Sequence, residues 1–273
     1  MYLKLTPGRL VSASLVVLMS LYSTTSRADE DNPRDPKLVF NVGFYHLSGI
    51  STDILATDSG TGASVGVSFE NTLNLPTTAD VQRLDGYYRY NDRNRIEFSY
   101  YGVKRSGTVT LPSTINIGGT PFDGETTSTS ESTILKAIWS HSYIKDKKFD
   151  FGIGGGVYLN STKSTISEVN PAGNTISTDV TLPLPVFSLR GAWNIRPKLK
   201  LWAKQDLFVL DIADLSSALT DFTLALEHQT TKNVGIGANV NYFNTTASTT
   251  INGNDARILR RYRGAMLYAK IAL

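Results

Sequence analysis

Ser140-His141-Ser142 sets a base between two hydroxyls, the residue types of nucleophilic acyl transfer. The surrounding residues read as a strand, where neighbours in sequence point to opposite faces, so neither serine can meet His141 from within it. His141 and His228 fall near tight polar turns and His46 near the opposite rim, and no acid is spaced to complete a triad with any of them. These positions read as polar-aromatic rim residues, and no catalytic residue is assigned. The three histidines are too dispersed for a metal site, and no cofactor is expected.

Two other stretches carry suggestive chemistry. Gly152-Ile153-Gly154-Gly155-Gly156 has the glycines of a phosphate loop but lacks the following helix and the lysine-serine pair, so it reads as small residues on a crowded strand face. Residues 87 to 105 interleave arginines with aromatic rings, as single-stranded nucleic-acid surfaces do. Charge decides against that use. Lys4, Arg9 and Arg27 fall in a leader, described next, and removing them from the 27 basic residues leaves 24 against 24 acidic ones. A neutral chain lacks the basic excess that binds phosphate backbones, so no nucleic-acid partner is expected.

The leader is residues 1–28. Lys4 and Arg9 precede an apolar run from Leu10 to Tyr22, and Ser26-Arg27-Ala28 offers small residues at the positions a signal peptidase reads. The run is short of the ~20 residues that cross a bilayer as a helix. Residues 29–273 are then the secreted domain, without a cysteine and without any apolar run long enough for a membrane helix.

That domain reads as strands almost throughout, aromatic or β-branched runs separated by Gly, Asn, Asp, Ser and Thr clusters. Its connections alternate between two kinds. Tight polar ones lie at 91–94, 145–148, 196–198 and 230–233. Longer ones, rich in Ser, Thr and Gly, lie at 49–78, 108–128, 166–176, 213–219 and 248–255. Transmembrane barrels have this asymmetry of short periplasmic turns and longer outer loops. The expected fold is all-β, a transmembrane antiparallel up-and-down barrel of about ten strands, with eight to twelve possible. The strands are expected at 37–48, 80–91, 95–107, 129–143, 149–165, 177–195, 199–212, 220–230, 234–247 and 256–273. Residues 63–70 also alternate, either as a hairpin arm in the first outer loop or as a further barrel strand.

Within these strands apolar and polar residues alternate: Phe149, Phe151, Ile153, Val157 and Leu159 oppose Asp150 and three glycines, and Ile96, Phe98 and Tyr100 oppose Glu97 and Ser99. A soluble β-barrel also alternates, but glycines and charges on the polar face, with aromatics near strand ends, favour a lipid-facing apolar side and a polar lumen. The pleat directs Asp85, Arg89, Glu97, Lys136, Asp150, Arg190, Lys200, Lys204, Asp206, Glu227 and Lys270 inward, six basic and five acidic. Confined charges of both signs are expected to pair, because an isolated one is costly, giving a salt-bridged lumen. Pro183 and Pro185 occupy alternate positions of one strand and cannot donate to a ladder. They either mark the strand's outer end or weaken one seam into a lateral gap.

The leader, the run Leu84-Asp85-Gly86-Tyr87-Tyr88-Arg89-Tyr90-Asn91 followed by Arg93, Arg95, Glu97 and Phe98, the Leu-Pro-Leu-Pro at 182–185 and Val234-Gly235-Ile236-Gly237 together resemble small outer-membrane barrels of Gram-negative bacteria, the broad OmpW/OmpA-like group. Members usually end in Phe, which the assembly machinery reads; this chain ends in Leu273, which keeps the apolar parity. The resemblance implies a porin-like protein of the cell envelope, with both termini on the periplasmic side. It further implies passive transport of small or hydrophobic solutes, or alternatively a structural or adhesive role through the outer loops; the residues themselves favour a non-enzymatic barrel over the remaining alternative, a lipid-modifying barrel enzyme. Its expected partners are outer-membrane lipid, lipopolysaccharide and the barrel-assembly machinery.

Overall fold

The computed structural model describes residues 36–58, 64–117, 120–170, 173–212, 215–251 and 254–273; the leader at 1–28 lies outside them. The strands are β1 (Leu38–Asp58), β2 (Ser64–Ser68), β3 (Ala79–Arg89), β4 (Asn94–Ile117), β5 (Thr120–Lys145), β6 (Phe149–Glu168), β7 (Thr175–Arg196), β8 (Leu199–Ile212), β9 (Leu215–Gln229), β10 (Val234–Ile251) and β11 (Asn254–Ala272). From β3 to β11 each strand pairs with the next, antiparallel; β1 pairs with β3 on one side and with β11 on the other, which closes the wall. Closure leaves no edge strand along the ring, the condition for sitting in lipid. Ten strands form the wall. The eleventh, β2, is a hairpin arm paired to the outer part of β1 through Asp53↔Ser68, which decides between the two readings of 63–70.

The strands run further than the sequence suggested. Of the segments expected to be outer loops, 108–117, 120–128 and 248–251 continue as ladder, and β8 and β9 meet at Ile212↔Leu215. Their Ser and Thr content was misleading: a β-branched threonine suits a pleated wall as well as it suits a loop. The four tight turns are where the sequence put them. At one, Asn91 Oδ1 accepts from the backbone N–H of Arg93 (3.0 Å) and Asn94 (2.8 Å), the local cap that lets asparagine form a turn.

Side-chain parity divides the wall into two surfaces. Outward-facing apolar residues form a belt: Phe149 to Leu159 on β6, Ile195 to Pro183 on β7, Leu199 to Val209 on β8, and Ile236 to Tyr242 on β10, many of them exposed. From Phe149 to Leu159 the belt occupies the ~9–11 residues that a tilted strand needs to cross a bilayer. Beyond it the outward positions turn polar, with Lys104 paired to Glu131. At the turn end Tyr88, Tyr90, Trp139 and Tyr143 are exposed, and the Trp139 indole donates to the Tyr90 hydroxyl (2.7 Å), an aromatic girdle of the interfacial kind. The arginine-aromatic stretch of 87–105 is therefore a hairpin in which Tyr88, Tyr90, Ile96, Phe98 and Tyr100 face outward while Tyr87, Arg95, Glu97 and Tyr101 face inward.

Glycines on the inner surface make room for rings. A Cβ on Gly264 would stand 2.1 Å from the Tyr45 ring, and one on Gly237 would stand 2.3 Å from Tyr268. Each tyrosine lies over a neighbouring strand's backbone, so the small residues fill the lumen instead of hollowing it.

Candidate functional site: the lumen and the β7–β8 seam

The inward residues stack in layers from the turn end to the loop end. Nearest the turns, Glu97 is shared by three cations: Lys204 Nζ at 2.5 Å, Arg95 Nε at 2.8 Å and Arg190 Nε at 3.4 Å. Arg190 also pairs with Asp150 at 3.0 Å and donates to Ser142 at 2.5 Å. Glu227 takes Lys270 (2.6 Å), the Trp202 indole (2.7 Å) and the Tyr268 hydroxyl (3.0 Å). Arg83 pairs with Asp85 at 2.9 Å and lies over the rings of Tyr45 and Tyr101, 4.9 and 5.0 Å from their centroids, a cation–π arrangement.

One level up, Lys136 bridges Asp206 (3.0 Å) and Asp221 (3.2 Å), and the Tyr158 hydroxyl reaches both carboxylates as well. Ser188 completes Asp206 at 2.5 Å and Asn241 completes Asp221 at 2.6 Å. Every one of these groups is buried, and the layer ties β5, β6, β7, β8, β9 and β10 together as a charged partition inside the barrel. Lys204 reaches Asp206 at 3.7 Å and so joins the partition to the Glu97 cluster. Above stand aromatic rings. Tyr101 and Tyr262 are hydrogen-bonded, Tyr262 stacks on Phe243 at 4.6 Å, and Tyr45 donates to Asn241 at 2.8 Å.

The loop-end half differs in chemistry. Its inner wall on β5 is a run of hydroxyls, Thr126, Ser128, Ser130 and Ser132, all buried, with Arg260 donating to Ser132 at 2.5 Å. The mouth is filled by an apolar cluster of Phe69, Leu73, Leu75, Leu111, Phe122 and Ile166. Residues 69–78 stand beside β4 where β3 has ended: Asn74 donates to the Thr108 carbonyl at 3.0 Å, and Arg105 clasps Glu70 (2.6 Å) and the Pro76 carbonyl (2.8 Å).

The wall itself is uneven. β6 and β7 pair from Phe149↔Trp193 to Ser167↔Thr175, over almost the whole of both strands. β7 and β8 pair only from Arg196↔Leu199 to Phe187↔Leu207, although β7 continues to Thr175 and β8 to Ile212. Pro185 and Pro183 are the first outward positions of β7 past that ladder's end. They lie inside β7 and not at its outer end, still within the apolar belt. Leu184, Val186 and Phe208 stand at the inner side of the seam, while Val209 is 79% exposed and Leu182, although of inward parity, is 45% exposed.

Of the residues that parity directed inward, Glu97, Asp150, Arg190, Lys204, Lys136 and Asp206 come together in one linked network, and Glu227 with Lys270 forms a separate pair. Asp85 is held by Arg83, and Arg89 turns to the rim, donating to the Asp92 carbonyl at 3.1 Å. Arg83, Arg95, Arg105, Asp221 and Arg260 were passed over in the sequence, yet each shares the parity of an inward neighbour on its own strand. Applying the pleat to every charge of each strand would have found them.

The histidines stay apart. His46 bonds to Asp80 (2.7 Å) and is exposed on the outer face, partway along β1 instead of at its rim, because β1 runs on to Asp58. His141 bonds to Asn94 (2.8 Å) and packs edge-on against Tyr143. No group of His, Cys, Asp and Glu fit to hold a metal occurs among the described residues.

No protein-family model matches the sequence, and no curated protein is similar to it in sequence. Solved structures are similar in fold. The outer membrane protease OmpT from Escherichia coli superposes with a TM-score of 0.53 at 11% identity, over 92% of this chain and 99% of that one. The translocator domain of the autotransporter NalP from Neisseria meningitidis gives 0.47 at 11% identity, covering 94% and 95%. OprG from Pseudomonas aeruginosa gives 0.39 at 13% identity, covering 88% and 97%. With a closed ten-strand wall, an apolar belt and tight turns gathered at one end, the chain has the fold of the small outer-membrane β-barrels.

Proposed function

We propose that this barrel is a narrow passive channel that passes small apolar solutes from its loop-end mouth sideways into the outer membrane, with its termini and tight turns in the periplasm. The early end of the β7–β8 ladder carries this reading. Where β7 and β8 stop pairing, two prolines remove donors that could extend the ladder, and apolar side chains border the seam on both faces of the wall. An apolar solute leaving there would enter lipid without crossing the charged layers below. The axial path supports the same conclusion by its chemistry, since a solute going straight through would have to break the Lys136 partition, whose buried ion pairs are costly to leave unmatched.

The fold is shared with a protease, so fold alone does not separate channel from enzyme. The dispersion of the three histidines, with His46 bonded to Asp80 on the outer face and His141 to Asn94 at the turn end, supports the channel. The test is transport. Replacing both prolines by valine (P183V/P185V) restores two ladder donors and should slow entry of an apolar fluorescent probe into vesicle lipid at unchanged folded yield. Unchanged entry with a fully folded variant contradicts the lateral route.

A further inference from the structure

Between the turns and the Lys136 partition lies a cavity of about 90 Å³. It is far smaller than the ~300–1,000 Å³ pockets that take organic ligands, and it is a different site from the lateral seam. Seven basic and three acidic side chains line it. Asp150, Asp206 and Asp221 reach those cations from behind the lining, and one positive charge remains in excess. Lys200 is that cation. Half-buried, it sits directly across the β8–β9 ladder from Glu227, whose field it shares with Lys270 and whose two oxygens are already taken by Lys270, Trp202 and Tyr268.

Two neutral groups in the same lining are also unsatisfied. Asn41 is 7% exposed and Ser99 1%, and neither Asn41 Oδ1 nor Ser99 Oγ has a hydrogen-bond partner in the structure. Buried polar atoms left this way are costly unless something fills the space between them. The filler must suit all three: negative charge for Lys200, lone pairs for the serine hydroxyl, and a hydrogen to donate to the asparagine oxygen. A fully ionised oxyanion such as sulfate supplies the first two and lacks the third. Hydrogen phosphate supplies all of them, with charged oxygens and a remaining P–OH.

We propose that this chamber is a binding site for inorganic phosphate, with Lys200 and Ser99 holding its oxygens and Asn41 accepting from its hydroxyl. The test uses the full folded barrel in detergent, titrated calorimetrically with sodium phosphate at constant ionic strength, with sodium sulfate as comparator. Saturable one-to-one phosphate binding, with sulfate clearly weaker, is the expected result. Lys200→Gln should weaken phosphate at least about tenfold, the worth of a lost charge-assisted contact, and Lys200→Arg should keep most of the affinity. Asn41→Leu should erase the preference for phosphate over sulfate. Lys232→Gln, in an exposed turn, should change nothing. Absence of saturable heat, equal binding by Lys200→Gln, or equal loss with Lys232→Gln overturns the site. A folded-yield gel for each variant excludes misfolding. Apolar-probe entry measured on Lys200→Gln should be unchanged, so the site and the lateral route stand or fall separately.

Discussion

Strand β7 is bordered on both edges in the turn-end half of the barrel and on one edge only in the loop-end half. The same strand, with the same alternation, is sealed in one place and open in another. Strand propensity therefore does not set where a barrel wall parts, since both strands continue past the point where they separate. β6 accompanies β7 to Thr175, while β8 leaves β7 after Leu207 and stays paired with β9 alone as far as Ile212. The interior follows the same division. Toward the turns the lumen is crossed by linked paired charges, and toward the loops the filling is hydroxyl and apolar, with Arg105–Glu70 and Arg260 among it.

The largest expected break in that contrast comes from the partition. Lys136→Met leaves Asp206 and Asp221 buried beside each other without their shared cation, which should cost on the order of 3–5 kcal/mol and lower the denaturant midpoint of the detergent-folded barrel. It should also raise ion conductance in planar bilayers, because the closed layer loses its bridge. A variant as stable and as poorly conducting as the parent would show that the turn-end half is held shut by something else.

A smaller effect is expected at the rims, where the two ends of the barrel can be compared directly. Asp146, in the tight turn before β6, accepts from the backbone N–H of Phe149 and Lys148, and these bonds hold its carboxyl below the usual range. Glu168, at the loop end of β6, is lowered in the same way by the backbone N–H of Asp123 and Asn174. Both groups favour the folded state while ionised. Their contribution is present above the ordinary carboxylate pKa and is lost as pH falls through the lowered folded value. Asp146→Asn should therefore flatten the acid limb of an unfolding-versus-pH curve slightly, and Glu168→Gln should do the same at the other end. An unaltered acid limb in both would remove these caps from the account.

How much of this was visible in the chain depends on which half is considered. In the belt, parity is strict. Phe149, Phe151 and Ile153 on one face and Asp150 on the other can be read directly, and so can the inward aim of Glu97, Lys136 and Asp206, because one side faces an apolar phase and the other does not. Above the belt both faces carry polar side chains, so the alternation of Thr127 with Ser128 or Lys104 with Arg105 carries little hydropathy contrast although Ser128 and Arg105 are buried, and strands there resembled loops. The short β7–β8 ladder is invisible to any single-strand pattern. It depends on how two neighbours run relative to each other, and only the prolines hinted at its place.

The lateral route can be tested most directly by closing the seam. The chain has no cysteine, so Val186→Cys with Phe208→Cys, one residue past the last β7–β8 pair on each strand, introduces a single bridge across the opening. Apolar-probe entry should fall several-fold on oxidation and return on reduction, with ion conductance unaffected in both states. Equal entry in the oxidised and reduced protein, once the cross-link is verified by gel, would contradict a lateral exit between β7 and β8.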